Sequence, residues 1–246
     1  FITSTLQQEV SNKFRIGPKQ TMMILQKLYE NGLITYMRTD SVTISEEILD
    51  KIEVFIKDKY GDKYYNRKQY KNKSKNSQEA HEAIRPCNIE LKNLDTLNIT
   101  TNGKYSNYDI KIYNLIWNRT IASQMSLSRY ENIFININIY KPWKKGNIKN
   151  RDYHFISKII KQIFDGFMKI YKPFEDPEKE NNDSSNTSNL LVIEKKLKEN
   201  MVVNLKSIIS TEKFTKPKHL RFTEASLIKK LDELGIGRPS TYSSMV

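Results

Sequence analysis

Residues 130–143 read YENIFININIYKPW, and this stretch decides the fold class. Isoleucines at 133, 135, 137 and 139 alternate with other residues. A period of two predicts a half-buried antiparallel strand, because side chains of a strand point alternately to its two faces. Further strands are expected near 165–172, 190–195 and 201–209.

Helical patterns lie on both sides of this strand-rich region. Among the N-terminal helices, one is expected to begin with Pro18 as its first residue, one to follow the N-cap Ser45, and one to cover 106–125. A short helix over 78–85 is expected to end at Pro86. A later helix is expected between the N-cap Thr223 and Gly235, with Leu227, Leu231 and Leu234 as its buried stripe. Helices, then strands, then helices predict an α+β protein rather than an alternating βαβ fold.

Composition restricts the partner and the chemistry. Lys and Arg number 41 against 28 Asp and Glu, so the net charge is +13, which favours nucleic acid as a partner. The heavy use of Lys, Asn, Ile and Tyr is also typical of an A/T-rich genome, which explains part of this charge. The single cysteine, Cys87, excludes a disulfide framework and a Cys-rich zinc site in this stretch. No apolar run is long enough to span a membrane.

The segment GLITYMRTDS, residues 32–41, contains the strongest candidate for a nucleophile. Residues 33–37 are predicted to form a short strand, and Asp40 and Ser41 a turn. In a strand, Tyr36 and Arg38 point to the same face, and a phenol beside a guanidinium suits attack on a phosphodiester. The competing interpretation is that Tyr36 only packs in the strand.

A phenol with a pKa near 10 is only about 0.1 percent ionised at pH 7, so a tyrosine nucleophile needs help. Arg38 can stabilise both a phenolate and the transferring phosphoryl oxygens. The leaving 3′-oxygen also needs an acid, and metal ions usually assist such reactions. These residues contain no Asp-x-Asp cluster on a strand, so part of a phosphoryl-transfer site would lie elsewhere.

Two further motifs offer phosphate ligands. SQEAHEAIRP, residues 77–86, places His81 and Arg85 on one face of the predicted helix, although a surface helix with Arg85 paired to Glu82 or Glu79 explains the same pattern. GIGRPSTY, residues 235–242, combines two glycines with Arg238, Ser240 and Thr241, which could hold a phosphate or only form a capped turn. His154 and His219 have no partners for a metal cluster.

Three blocks together resemble the type IA DNA topoisomerases, especially bacterial-type topoisomerase I. They are FITSTLQQEVSNKF with TMMILQKLYENGLITYMRTDSVTIS, then SQEAHEAIRP, then RFTEASLIKKLDELGIGRPSTYSS. The resemblance covers about residues 1–125 and 203–246, whereas the strand-rich middle resembles the family loosely.

The resemblance implies a fold and its division. The family core is a torus, of which this chain would supply three parts. Residues 1–122 would form a helical, CAP-like domain with the active-site tyrosine. Residues 123–210 would form part of an antiparallel β arch, with a disordered insertion near 175–189. Residues 211–246 would begin a helical DNA-binding base segment.

The resemblance also implies a reaction. Tyr36 would attack one strand of DNA and form a 5′-phosphotyrosine, so that another strand can pass before resealing without ATP. Arg38 would stabilise the phosphate and His81 would help to bind it. Arg85, from the adjoining motif, and Arg238, Ser240 and Thr241 would contact DNA. Mg²⁺ is the expected cofactor, with its ligands in a toprim domain upstream of these residues and none within them.

The remaining expectations concern activity, partners and location. The chain resembles a piece of a longer monomeric enzyme that relaxes negatively supercoiled DNA, and alone it is expected to bind DNA weakly without relaxing it. Three other interpretations of the function stay open: a non-catalytic nucleic-acid-binding module, a topoisomerase III-like decatenase and an enzyme acting on RNA. A site-specific recombinase does not fit, because its arginines, histidines and tyrosine follow a different order in the sequence. Its partner would be single-stranded DNA and not a membrane. A bacterial cytoplasm, or the plastid or mitochondrion of a eukaryotic parasite, would suit it.

Overall fold

A computed structural model describes residues 1–70, 81–94, 104–138, 154–174, 198–204, 206–207, 212 and 221–246. Helices and a two-stranded antiparallel sheet together make an α+β fold, which confirms the predicted class. The elements are α1 (Thr3–Phe14), α2 (Pro18–Glu30), α3 (Glu46–Tyr60), a 3₁₀ turn (Asp62–Tyr64), α4 (Asn107–Ser123), β1 (Arg129–Asn138), β2 (His154–Phe164), a second 3₁₀ turn (Gly166–Lys169), α5 (Glu224–Glu233) and α6 (Tyr242–Met245).

The chain divides into two compact units. The first comprises Phe1–Leu127, Gly166–Phe174 and Pro217–Val246, and the second comprises Ser128–Asp165 and Glu175–Lys216. The first unit therefore contains every described helix as well as all the candidate site residues. The domain boundaries inferred from the sequence, at 122 and 210, stay predictions.

The first unit has a core to which each long helix contributes buried side chains. In α4 the cluster of Ile112, Leu115, Ile116 and Trp117 is buried. Burial of such aliphatic and aromatic side chains is the main stabilising contribution to a fold of this kind. Other large side chains with almost no exposure include Leu6, Leu25, Leu28, Ile34, Met37, Leu49, Ile52, Ile56, Ile84, Leu94 and Tyr113.

The second unit is represented by an antiparallel hairpin. In its register Ile133 lies opposite Ile159 and Ile137 opposite Phe155. The strand predicted at 130–143 is confirmed over its described part, where Ile133 and Ile135 are half-buried between exposed neighbours. Strand β2 was not predicted, because HFISKIIKQIF lacks a strict alternation of apolar and polar residues.

Two other strand predictions fail where the structure describes the residues. Within 165–172, residues Gly166–Lys169 form a 3₁₀ turn, and residues 201–204 and 206–207 are not in a strand. The strand predicted at 190–195 and the insertion predicted at 175–189 lie outside the described residues. A short apolar run does not specify a strand unless a neighbouring strand accepts its hydrogen bonds.

The predicted helix ends are mostly right, because they depend on local chemistry. Pro18 is the first residue of α2, Ser45 is the N-cap of α3, and the Thr223 hydroxyl accepts a hydrogen bond from the Ser226 N–H at the start of α5. The predicted stripe of α5 is only partly right. Leu227 and Leu231 are half-buried and Leu234 is exposed, whereas the fully buried residues of this helix are Ala225 and Ile228.

Two predicted elements near the candidate site are wrong. Residues 33–37 do not form a strand; the segment contains a single isolated bridge, between Ile34 and Pro86. Residues 81–86, the described part of the predicted helix at 78–85, are not helical. Both segments pair their backbone with distant residues, and this tertiary context overrides local propensity. None of the described helices has the length and apolar character needed to cross a bilayer.

Candidate active site

The Tyr36 and His81 motifs are joined through their backbones. The Thr35 N–H donates to the Arg85 carbonyl at 2.9 Å, and the Cys87 N–H donates to the Leu33 carbonyl at 3.0 Å. The Thr35 hydroxyl donates to the Ala83 carbonyl at 2.7 Å and accepts a hydrogen bond from the Arg85 N–H at 3.0 Å. Two segments about 50 residues apart are therefore held side by side by groups that would otherwise lack partners.

This pairing places the Tyr36 ring between two other aromatic rings. Its centroid lies 5.3 Å from that of Tyr29, in an edge-to-face arrangement, and 5.5 Å from that of His81. Aromatic rings with centroids at these separations attract each other, and the two neighbouring rings restrict rotation of the Tyr36 ring. Tyr36 and His81 are both half-buried, and Tyr29 retains 40% of its exposure. The structure thus brings the predicted nucleophile and the predicted phosphate-binding histidine together.

Arg38 lies on the same loop, two residues after Tyr36. Its side chain is exposed, and among the described residues it forms no hydrogen bond or ion pair. Its neighbours Met37 and Thr39 are buried, each with about 1% exposure. The Thr3 hydroxyl donates to the Met37 carbonyl at 2.7 Å and accepts the Thr39 N–H at 3.0 Å. A cation is consequently presented outward from a segment whose backbone is fixed on both sides.

Arg85 differs from Arg38, because its guanidinium is already engaged. Its Nε donates to the Glu82 carboxylate at 2.8 Å and its Nη1 to the Pro86 carbonyl at 3.1 Å, and only 12% of its side chain is exposed. Glu82 also accepts a hydrogen bond from the Ser45 N–H at 3.1 Å. The ion pair with Glu82 is confirmed, while contact of Arg85 with DNA stays a prediction.

The glycine-rich motif forms a turn between α5 and α6. Gly235 and Gly237 have positive φ angles of 68° and 85°, which favour glycine. The Thr241 hydroxyl accepts the Arg238 N–H at 2.9 Å and donates to the Arg238 carbonyl at 3.2 Å. The Arg238, Ser240 and Thr241 side chains are exposed, and Arg238 has no acidic partner among the described residues. The Arg238 Nη1 donates to the Gly237 carbonyl at 3.4 Å. The turn therefore exposes a second guanidinium that has no acidic partner among the described residues.

A polar contact joins this turn to α1. The Asp232 carboxylate accepts one hydrogen bond from the Ser4 hydroxyl and another from the Tyr242 hydroxyl, each at 3.0 Å. Burial, and then the Asp232 charge, raise the pKa of the buried Tyr242 to about 12. The Asp40 and Arg238 charges also shift the pKa of this hydroxyl. Asp40 belongs to the Tyr36 loop, residues 33–43, so a charge on that loop acts on a residue at the end of the turn.

Neither a metal site nor a reactive thiol is evident where the structure describes the chain. In that part, no group of three or more His, Cys, Asp and Glu side chains could hold a metal ion. Cys87 is exposed, and desolvation raises the pKa of its thiol, which favours the unreactive protonated form. The described residues therefore offer a tyrosine, and not this cysteine, as the candidate nucleophile.

Comparison with known proteins agrees with these motifs. A family model described as DNA topoisomerase matches residues 1–246. The chain belongs to the DNA topoisomerase family. It is 45% identical to a relative from Acanthamoeba polyphaga mimivirus named "DNA topoisomerase 1 type prokaryotic", and 42% identical to "DNA topoisomerase 1" of Rickettsia conorii. The whole chain is aligned in both comparisons.

A solved structure of the same family supports the fold. Full-length topoisomerase I from Thermotoga maritima matches 99% of the chain with a TM-score of 0.64 and 32% identity. The chain spans 27% and 30% of the two relatives named above and 36% of that structure. These 246 residues thus correspond to about a third or less of the length of each of these topoisomerases.

Several residues of this topoisomerase segment were not identified as site residues from the sequence. Thr3, Ser4 and Asp232 hold the two motif segments, and Tyr29 contacts the Tyr36 ring. Tyr29 follows Leu25 by four residues and so resembled an ordinary core position of α2. Thr3 and Ser4 carry no local signal of their role, because both of their partners are distant in the sequence.

Proposed function

We propose that the protein containing this chain is an ATP-independent type IA topoisomerase that relaxes negatively supercoiled DNA. It would cut one strand transiently, pass another strand through the break and reseal the first. The names of its relatives support topoisomerase I activity more than topoisomerase III-like decatenation. The observation that most supports the proposal is the position of the Tyr36 ring against His81, on a loop that also exposes an unpaired Arg38.

In the cleavage step, the Tyr36 hydroxyl oxygen attacks the phosphorus of a phosphodiester. The new O–P bond forms a 5′-phosphotyrosine while the bond from phosphorus to the 3′-oxygen breaks. The phenol proton passes to a base, and the leaving 3′-oxygen gains a proton to become a hydroxyl. Resealing is the reverse reaction. The number of phosphate ester bonds does not change, so the reaction needs no ATP.

The neighbouring side chains suit distinct roles in this step. An unpaired guanidinium can bind two phosphoryl oxygens at once and offset the charge that develops on them, which is the role we assign to Arg38. An imidazole ring against the phenol can hydrogen-bond a phosphate oxygen as it approaches, the role assigned to His81. The aromatic contacts with Tyr29 and His81 would keep the phenol oriented for attack.

The turn between α5 and α6 would contact the DNA backbone. Arg238 is exposed and has no acidic partner among the described residues, and the Ser240 and Thr241 side chains are exposed beside it. Guanidinium and hydroxyl groups are the usual phosphate contacts of DNA-binding proteins. The excess of basic residues would add a general attraction for single-stranded DNA.

Mg²⁺ is proposed as a cofactor of the whole protein. Following the resemblance to type IA topoisomerases, we propose that its ligands lie in a toprim domain. The described residues contain no group of three or more His, Cys, Asp and Glu side chains that could hold a metal ion. When bound, such an ion would stabilise charge on the phosphate and the leaving oxygen. No part of the roles given to Tyr36, Arg38 and His81 depends on a metal ligand from this chain. The 246 residues alone are therefore expected to bind DNA weakly without cutting it.

The test is to trap the covalent intermediate with the full-length protein. A single-stranded oligonucleotide labelled at its 3′ end is incubated with Mg²⁺ and no ATP, and the reaction is stopped with detergent. The 5′-phosphotyrosine linkage would leave the label attached to the protein. We expect a labelled adduct from the wild type and none from Tyr36→Phe.

Tyr29→Phe is the matched control, because it removes a phenolic oxygen next to Tyr36 and keeps the ring. It should still form the adduct. An oligonucleotide labelled at its 5′ end should release a shorter labelled product with a free 3′-hydroxyl. If the wild type binds the oligonucleotide but forms no adduct, the protein is a non-catalytic binding module and the proposal is wrong.

A further inference from the structure

We propose that Thr3, in the first turn of α1, is a positioning residue for Arg38. The inference rests on the proposed function, since it assigns Thr3 a part in strand cleavage. Thr3 has no exposed surface and cannot touch DNA. Its effect would be to fix the backbone on both sides of Arg38, so that the guanidinium meets the phosphate in one place.

The contacts of Thr3 enclose Arg38 from both sides. The Thr3 hydroxyl donates to the Met37 carbonyl at 2.7 Å and accepts the Thr39 N–H at 3.0 Å. The Thr3 N–H donates to the Thr39 carbonyl, also at 3.0 Å. Both backbone groups of Thr39 therefore depend on one residue that lies 36 positions earlier in the sequence.

This arrangement matters because Arg38 has no other restraint among the described residues. Its side chain is exposed and its guanidinium lacks a partner there. A long side chain without contacts is placed chiefly by its own backbone, and that backbone is not part of a regular strand. Removing the Thr3 hydroxyl would leave the Thr39 N–H without its acceptor in a buried place, so the loop would have to rearrange.

The next residue connects the same helical turn to the second phosphate-binding motif. The Ser4 hydroxyl donates to the Asp232 carboxylate, which also accepts from the Tyr242 hydroxyl. Tyr242 follows the turn that exposes Arg238, and its N–H donates to the Arg238 carbonyl at 3.2 Å. The start of α1 is thus a common anchor for the two segments that bear Arg38 and Arg238.

The first experiment compares Thr3→Val with Thr3→Ser in the full-length protein. Valine has nearly the shape of threonine but no hydroxyl, whereas serine keeps the hydroxyl. We expect Thr3→Val to lower the rate constant of adduct formation by about 100-fold, as expected for a displacement of about 1 Å in a reacting group. Affinity for the oligonucleotide should change little, and Thr3→Ser should restore most of the rate.

A double-mutant cycle separates positioning from a general loss of structure. If Thr3 acts through Arg38, Thr3→Val should add almost nothing to the defect of Arg38→Ala, because the group that it positions is already gone. If Thr3 only stabilises the fold, the two defects should multiply. Multiplying defects, or a Thr3→Val variant as fast as the wild type, would overturn the proposal.

Hydrogen–deuterium exchange of the wild type gives a test that does not depend on a variant folding. The Thr39 amide should exchange slowly, at a rate typical of the core, because its N–H is buried and donates to Thr3. Exchange as fast as that of an exposed loop would contradict the proposal. A wild type without any adduct would instead contradict the proposed function, so the two failures are distinguishable.

Discussion

Two irregular segments of this protein expose an arginine, and a threonine hydroxyl fixes each of them in the same way. In the Tyr36 loop, residues 33–43, the Thr35 hydroxyl donates to the Ala83 carbonyl and accepts the Arg85 N–H. In the Arg238 turn, residues 235–241, the Thr241 hydroxyl donates to the Arg238 carbonyl and accepts the Arg238 N–H. The first pair of bonds spans 48 and 50 residues, and the second spans three.

This difference in sequence distance separates two ways of building a phosphate site. The Arg238 turn is determined by its own residues, with glycines at positive φ and a hydroxyl cap. The Tyr36 loop has its shape only when α1 and residues 83–87 are in place. A reaction that needs a fixed nucleophile benefits from long-range bonds like those of the Tyr36 loop. A contact with the DNA backbone tolerates a locally determined turn like that of Arg238.

The largest expected effect comes from removing each arginine in turn. Arg38→Ala should lower the rate constant of adduct formation by about 100- to 1,000-fold, because it removes charge stabilisation at the reacting phosphate. Arg238→Ala should instead weaken binding of the oligonucleotide. The slope of the logarithm of the binding constant against the logarithm of the salt concentration should become shallower by about 0.7, the value for one phosphate contact with a single strand. Adduct kinetics at saturating oligonucleotide and binding titrations at several salt concentrations measure the two effects.

Lysine is the matched control at both positions. Arg38→Lys should stay strongly impaired, since an ammonium cannot bind two oxygens in a fixed plane, while Arg238→Lys should keep most of the affinity. If both alanine variants lose affinity equally and keep the same rate at saturation, the two segments have the same role. The distinction drawn between them would then be wrong.

The same distinction explains what could be predicted from the sequence. The caps at Ser45 and Thr223 and the end of a helix before Gly235 follow from local chemistry, and they were predicted correctly. The shape of the Tyr36 loop and that of residues 81–86 could not be predicted from local sequence, because their N–H groups donate to partners far away in the chain. Tyr36, Arg38 and His81 were identified as residues, but the ring contacts between Tyr29, Tyr36 and His81 required the structure.

A smaller effect is expected from removing the two hydroxyls. Thr35→Val should lower the free energy of local opening of the Tyr36 loop by about 2 kcal/mol, because it leaves the partly buried Arg85 N–H without an acceptor. Thr241→Val should lower the free energy of local opening of the Arg238 turn by about 0.5 kcal/mol, since Thr241 is exposed and water can replace its hydroxyl. Hydrogen exchange of the Arg85 and Arg238 amides in the full-length protein measures both.

Serine at each position keeps the hydroxyl and should restore slow exchange. Thr35→Val should also slow adduct formation, whereas Thr241→Val should leave its rate at saturation unchanged. Equal losses at the two positions would show that the distant partners of Thr35 confer no more stability than the local ones of Thr241.

The smallest effect tests whether the Arg238 turn depends on its own backbone. Gly235 and Gly237 both have positive φ, so an alanine at either position should cost about 1 kcal/mol. The cost should be greater at Gly237, where an added Cβ would lie 3.0 Å from the Met245 Sδ, than at Gly235, where nothing lies within 4 Å. Faster exchange should be confined to the turn and should leave the Thr39 amide unchanged. If Gly237→Ala also speeds exchange at Thr39, the turn and the Tyr36 loop open together, and the Ser4 contact with Asp232 is the path that would couple them.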